Sequence, residues 1–182
     1  KLITIHNLYP AYKNFEFLHK KLKNNFDLKE FIKICVVRDP IKRIISAYTN
    51  KVLHEKRLSE TFLKQNGLES KYANPNFCQF VENFELYTKV PYINHHTKPM
   101  HEFIGENPSF YDKIYNLKNI NEFSELLKLK YDIEFSIPKK QKGGGGSKTI
   151  NIERIKKEEV TIYNKLKKIT EKDYKIYSDF IG

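Results

Sequence analysis

Cysteine is nearly absent from this chain of 182 residues: Cys35 and Cys78 are the only two, and Cys35 lies inside the apolar run IKICVV. So small a supply excludes a disulfide framework and a cysteine-based zinc site, which leaves two reduced, buried thiols. Long apolar stretches are also missing. No run reaches the roughly 18 apolar residues that a membrane-spanning helix needs, and the first residues lack the charged-then-apolar layout of a secretory signal. There is no initiator Met, and the chain opens directly in a strand-like stretch, Leu2 to Ile5, so further residues are expected upstream. No internal repeat is visible. Glycine amounts to 7 residues, and four of them stand together in GGGGS, Gly143 to Ser147. That run is foreign to a chain so rich in Lys and Asn and reads as an engineered flexible linker. It is expected to replace a loop between Lys142 and Lys148, whose ends would then lie close together.

What the chain has in quantity is positive charge, with 33 Lys and Arg against 22 Asp and Glu and a formal net charge of +11. Such a balance favours polyanionic partners: nucleic acid, phosphorylated nucleotides, acidic polysaccharide or anionic lipid. The charge is spread along the chain instead of being gathered in one tail, so a solvated surface accounts for much of it. An apolar fraction of 40% suffices for one core, and residues 1–182 are expected to form a single domain.

Ile32 to Val37 is a short apolar run with β-branched residues, suited to a strand buried on both faces of a parallel sheet. Leu2 to Ile5 is a second strand candidate. Residues from Pro10 to about Phe31 carry aromatic residues and Leu at loosely helical spacing, long enough for the crossover that parallel strands require. After Val37, Asp39 can cap a helix whose first turn accommodates Pro40. Ile41, Ile44, Ile45 and Tyr48 then recur at the spacing of a helix lying on a sheet. Further helices are expected over Phe77 to Tyr87, Asn121 to Lys130, Glu158 to Ile169 and Lys172 to Phe180, with a third strand at Lys113 to Leu117. The alternation predicts an α/β domain, a short parallel central sheet flanked by helices in three layers.

Ligands of open α/β sheets gather at the carboxyl ends of the strands, where helix N-termini present free N–H groups. Arg38 stands at such an end, and its guanidinium can bind a phosphate through two parallel hydrogen bonds. Asp39, Lys42 and Ser46 fall along one face of the following helix, apart from the Ile stripe. From spacing alone, two readings stay open: Arg38 and Ser46 converge on one anion, or Arg38 pairs with a surface carboxylate and Ser46 is merely solvated.

RDPIKRIISAY behind an apolar strand resembles the 3′-phosphate-binding motif of the carbohydrate sulfotransferases, which carry Arg-Asp-Pro, then Arg, then Ser-x-Tyr. HHTKPM, at His95 to Met100, is similar to that family's His-x-x-Pro segment, with Thr97 where an aromatic residue is common. YDKIYNLKNINEF, at Tyr111 to Phe123, resembles its strand-then-helix segment, with Lys118 in place of a frequent Glu. Ile152 to Phe180 is similar to its terminal helices, with a Tyr-x-x-Asp-Tyr style ending near Ile169 to Tyr174. Only the block from Arg38 to Tyr48 is highly specific.

The resemblance implies a P-loop-like fold. It also implies transfer of a sulfuryl group from 3′-phosphoadenosine 5′-phosphosulfate (PAPS) to a hydroxyl of a carbohydrate acceptor, with no metal. By it Arg38 and Ser46 hold the 3′-phosphate of PAPS. The reaction needs a group to take the hydroxyl proton, and a His suits that role. His6, directly after Leu2 to Ile5, matches the place of the family's catalytic base. His96 is the second choice, as base or as an acceptor-binding residue. His95 and His96 together are not expected to bind metal, since neighbours on an extended chain point to opposite sides and no carboxylate is suitably spaced. The family's 5′-phosphosulfate loop, a Lys-containing turn that cradles the phosphosulfate, is not found and is expected to precede Lys1. If it is truly absent, cofactor binding and catalysis should be weak. Lys139, Lys140 and Lys142 beside GGGGS are read as solvated loop lysines before remnants of a nucleotide lid.

The competing readings are a basic nucleic-acid-binding module and another nucleotide-binding domain. No RNP-like, zinc-finger or helix-turn-helix signature supports the first, so nucleic acid is not the expected partner. A nucleotide kinase would need a Walker loop, which is missing. The lack of disulfides together with the Lys/Asn/Ile/Tyr-rich composition favours a bacterial cytoplasm, whereas animal relatives of the resembled family work in the Golgi lumen.

Overall fold

The computed structural model describes residues 15–25, 27–134 and 150–182. The first elements in chain order are α1 (Phe15–Asn25), β1 (Ile34–Val37), α2 (Pro40–Ala47), α3 (Glu60–Gln65), α4 (Phe77–Glu82), α5 (Phe84–Tyr87) and α6 (Pro91–Thr97). They are followed by α7 (Met100–Ile104), β2 (Lys113–Asn116), α8 (Asn121–Tyr131), α9 (Ile152–Glu158) and α10 (Val160–Tyr177). The chain is thus α/β, mostly helical with a short parallel sheet. The described residues divide into two compact units, each assembled from separated stretches: residues up to 38 with 99–134 and 172–182, and residues 39–98 with 150–171. The strand candidate Leu2 to Ile5 and the GGGGS run lie outside the described residues.

The first unit holds the sheet. β1 and β2 run parallel, Ile34 opposite Lys113 and Val37 opposite Asn116. Strand alternation turns Cys35 and Val37 to one face, where they form a core with Met100 and Tyr177, flanked by Ile114, Phe180 and Ile181. On the other face Tyr115 meets the Phe123 ring of α8, centroids 5.9 Å apart. Val36, on that face, is 44% exposed. Among the described residues, therefore, ICVV is fully covered on one face only, where its unbroken apolar character predicts two. The strand starts are pinned together: the Asp112 carboxylate accepts from the Lys33 backbone N–H at 2.7 Å and from its ammonium at 2.8 Å. Those two bonds, the side-chain one first, hold the Asp112 carboxyl below the usual carboxylate range.

α7 begins after Pro99, which has no side chain able to cap it. Asp173 of α10 supplies the cap instead, accepting from the backbone N–H groups of Met100 at 2.7 Å and His101 at 3.0 Å. One turn further along α10, the Tyr177 hydroxyl donates to the Gly105 carbonyl at 2.5 Å. A single helix face thereby satisfies both ends of α7. Gly105 closes α7 at φ 82°, a left-handed conformation that glycine adopts without steric cost.

The second unit is built around aromatic packing. Phe80 of α4 is fully buried, its ring 5.3 Å from Tyr48, 5.9 Å from Phe84 and stacked on Tyr87 at 5.6 Å. The polar ends of the tyrosines are satisfied, Tyr48 by the Pro75 carbonyl at 3.0 Å and Tyr87 by the Tyr72 carbonyl at 2.8 Å. Asn76 and Gln79 form a capping box that starts α4. The helix expected over Phe77 to Tyr87 is broken at Asn83, whose backbone leaves helical geometry at φ −106°, ψ 27°. Conversely, the two helices expected over Glu158 to Ile169 and Lys172 to Phe180 are one, α10, because no Gly or Pro interrupts Ile169 to Tyr177.

Candidate functional site

Arg38 is the first residue past β1, half-buried at the carboxyl end of the strand. Among the described residues it has no hydrogen-bond or ion-pair partner, so the surface-carboxylate pairing left open by its spacing is not seen there. The next residue, Asp39, caps α2 as the sequence predicts: its carboxylate accepts from the Lys42 N–H at 2.8 Å, and Pro40 occupies the first turn. An anionic cap on the positive end of α2 already offsets much of the helix dipole.

Within the second unit, α2 buries Pro40, Ile41, Ile44 and Ala47, while Ile45, also expected in the stripe, is half-buried. Lys42 is exposed and Ser46 half-buried on the remaining face. Asn50 donates to the Ser46 hydroxyl oxygen at 3.5 Å, a long contact that leaves the hydroxyl proton available to an acceptor. The helix does not stop at Ala47. It widens into a π-helical segment, Tyr48–His54, in which the Glu55 N–H reaches back to the Asn50 carbonyl at 2.9 Å. Such segments are rare and recur at functional sites.

The widened turn presents Lys51 and, just beyond it, Glu55 and Arg57. Glu55 accepts from Lys51 Nζ at 2.5 Å and from Arg57 Nε at 3.1 Å, and these contacts lower its carboxyl from the usual range, the Lys51 bond most. The Arg57 guanidinium lies over the Tyr92 ring of α6, 4.1 Å from its centroid, and 5.1 Å from that of Phe62. α2 packs against α6, and on α6, one turn after Tyr92, stands His96. Its imidazole is half-buried; burial lowers its pKa first, then the Lys51 charge and His95, with Glu55 opposing and Arg43 adding to the fall. Such surroundings favour the neutral ring, whose unprotonated nitrogen can accept from a hydroxyl. His95 and His96 occupy the last turn of a helix, not the extended chain expected of HHTKPM, because Pro91 starts a helix that runs through Thr97. Their rings meet edge to face at 5.1 Å.

A second polar cluster belongs to the first unit. Asp173 is 3% exposed, and besides its two backbone donors it holds His101 Nδ1 at 2.7 Å. Among the described residues no group of three or more His, Cys, Asp or Glu is arranged to hold a metal ion, and no helix is long and apolar enough to cross a membrane.

Of the residues that the sequence singles out, Arg38 belongs to the first unit and Ser46 and His96 to the second. His6, Lys139, Lys140 and Lys142 lie outside the described residues. His96 lies within electrostatic reach of Arg43, Lys51 and Glu55, none of which the spacing of HHTKPM suggests. A signal exists in the chain: Lys51 and Glu55 are four residues apart, a helical ion-pair spacing. Asp173 also carries one, as an acidic residue in the buried stripe Ile162, Leu166, Thr170, Tyr177.

The family model described as "Sulfotransferase family" matches residues 5–179. Comparisons with curated proteins and with solved structures give no match. A match of that length takes in β1, the Arg-Asp-Pro turn, the His96 segment, β2 and the Asp173 clamp together, and the chain belongs to the sulfotransferase family, whose members transfer a sulfuryl group to a hydroxyl-bearing acceptor.

Proposed function

We propose that the chain is a PAPS-dependent sulfotransferase acting on a hydroxyl of a carbohydrate. The observation that carries this reading is Arg38: a half-buried residue at the carboxyl end of β1, its guanidinium without a partner among the described residues, one position before the cap of α2. A partly buried charge gains from a counter-charge, and in this reading a bound anion supplies it. In this reading Arg38 grips the 3′-phosphate of PAPS bidentately and the Ser46 hydroxyl donates a second hydrogen bond to it.

The acceptor hydroxyl attacks sulfur, the bond from sulfur to the bridging phosphate oxygen breaks, and adenosine 3′,5′-bisphosphate leaves. His6 takes the hydroxyl proton as general base, and His96 binds the acceptor. No metal is required, since cationic side chains offset the charge gathering on the departing phosphate.

Thermal unfolding with adenosine 3′,5′-bisphosphate, ATP and single-stranded DNA tests the proposal. Stabilisation by the bisphosphate, and not by the other two, is expected, because only a ligand bound to the folded state raises the midpoint. Stabilisation by DNA alone would overturn the reading in favour of a nucleic-acid-binding module.

A further inference from the structure

The turn that ends the π-helical segment is left-handed and carries a side chain where glycine is the common choice. Lys56 has φ 55°, and the Arg57 N–H behind it reaches back to the Lys51 carbonyl at 2.8 Å. A non-glycine residue held in this region costs backbone energy, and such positions gather at functional sites. Here the turn sets its two flanking side chains against each other, Arg57 Nε donating to the Glu55 carboxylate at 3.1 Å. The other carboxylate oxygen takes Lys51 Nζ at 2.5 Å. Glu55 is thus engaged by two cations, and the three side chains together keep one positive charge.

Phe62 and Tyr92 hold the guanidinium further, their ring centroids 5.1 and 4.1 Å from its central carbon. Its two terminal nitrogens donate to nothing among the described residues, and the side chain is 26% exposed. A guanidinium fixed through Nε and through stacked rings, with its terminal nitrogens open, is a fork ready for an oxyanion. Tyr92 is 52% exposed, and its hydroxyl also lacks a partner among the described residues. It stands one turn before His96, on the same face of α6. An exposed ring with an open hydroxyl beside such a fork suits a sugar that carries an acidic group.

We propose that Arg57 is the anion-binding residue of the acceptor site: its terminal nitrogens grip a carboxylate or sulfate ester borne by the carbohydrate, and Tyr92 packs against that sugar. The inference deepens the reading of the chain as a carbohydrate sulfotransferase and rests on it for the identity of the ligand. It makes the acceptor an acidic saccharide.

Calorimetric titration of the free protein, without PAPS and at one ionic strength, tests this with four ligands. They are a tetrasaccharide of alternating glucuronate and N-acetylhexosamine, the same tetrasaccharide with its carboxylates reduced to hydroxymethyl groups, the reduced form carrying sulfate esters, and inorganic sulfate. At least one acidic saccharide should bind about tenfold more tightly than the neutral one, as a charge-assisted hydrogen-bonded pair requires. Which of the two binds identifies the acidic group. Arg57→Lys keeps the charge and loses the fork, so it should lose most of that preference, while Tyr92→Ala should weaken all three saccharides alike. Equal binding of acidic and neutral saccharides by the parent overturns the proposal without recourse to any variant. So does a preference undiminished in a cooperatively unfolding Arg57→Lys protein, or binding of inorganic sulfate alone. A preference that depends on Arg57 in a protein that adenosine 3′,5′-bisphosphate does not stabilise would keep the anion site and remove the sulfotransferase reading.

Discussion

Asp173 receives both the backbone N–H and the ring Nδ1 of His101, at 3.0 and 2.7 Å, while its second oxygen takes the N–H of Met100 at 2.7 Å. One nearly fully buried carboxylate on α10 is thereby the cap of α7, the orienting partner of an imidazole and a bond between stretches some seventy residues apart in the chain.

Replacing Asp173 by Ala leaves the buried N–H of Met100 and the partly buried N–H and ring nitrogen of His101 unpaired. Each buried group left unsatisfied costs about 1–3 kcal/mol, so Asp173→Ala should lose on the order of 3–5 kcal/mol in urea unfolding. Asp173→Asn, which keeps one acceptor oxygen, should lose clearly less. Equal losses in the two variants would show that the site matters by its volume and not by its hydrogen bonds.

Phe80 is the centre of the second unit's aromatic cluster, in contact with Tyr48, Phe84 and Tyr87. Truncation to Ala removes these contacts and opens a cavity, at a cost of about 3–5 kcal/mol. Phe80→Leu should cost roughly half as much in the same denaturant titration. A loss below about 1 kcal/mol in Phe80→Ala would mean that the neighbouring rings collapse into the space.

Burial pushes the Cys35 thiol from about 9 up to about 12. Cys78 is raised as well, by burial first and then by Glu159 and Glu82. Because the thiolate is the nucleophile, neither should react appreciably with iodoacetamide at pH 8 in the folded protein, and both should label in urea. The sign for stability follows from the raised folded value of Cys35: its contribution is complete below about pH 9 and is lost as the pH climbs through about 12. Fast labelling of Cys35 at pH 8 without denaturant would contradict its burial in the sheet core.

Local chemistry makes much of this fold legible. The β-branched run becomes β1, Asp39 and Pro40 start α2, and Lys113 to Asn116 pairs as β2 in the parallel sense that an α/β pattern requires. What local chemistry cannot supply is partnership at long range. Asp173 reads as one more acidic residue until the fold brings Met100 and His101 to it. Arg57 reads as a loop cation until Tyr92 lies beneath it. The π-helical widening after Ala47 escapes a search for 3.6-residue spacing because its side chains follow another period. HHTKPM is misread as extended because the helix is set by Pro91, several residues earlier, and not by the histidines themselves.

The account depends most on Arg38, and calorimetric titration of adenosine 3′,5′-bisphosphate into the protein and into Arg38→Ala tests it directly. A hydrogen bond to a charged group contributes about 1.5–3 kcal/mol, so the variant should bind roughly 10- to 100-fold more weakly, with Ser46→Ala falling between it and the parent. Undiminished affinity in a folded Arg38→Ala protein would contradict the account.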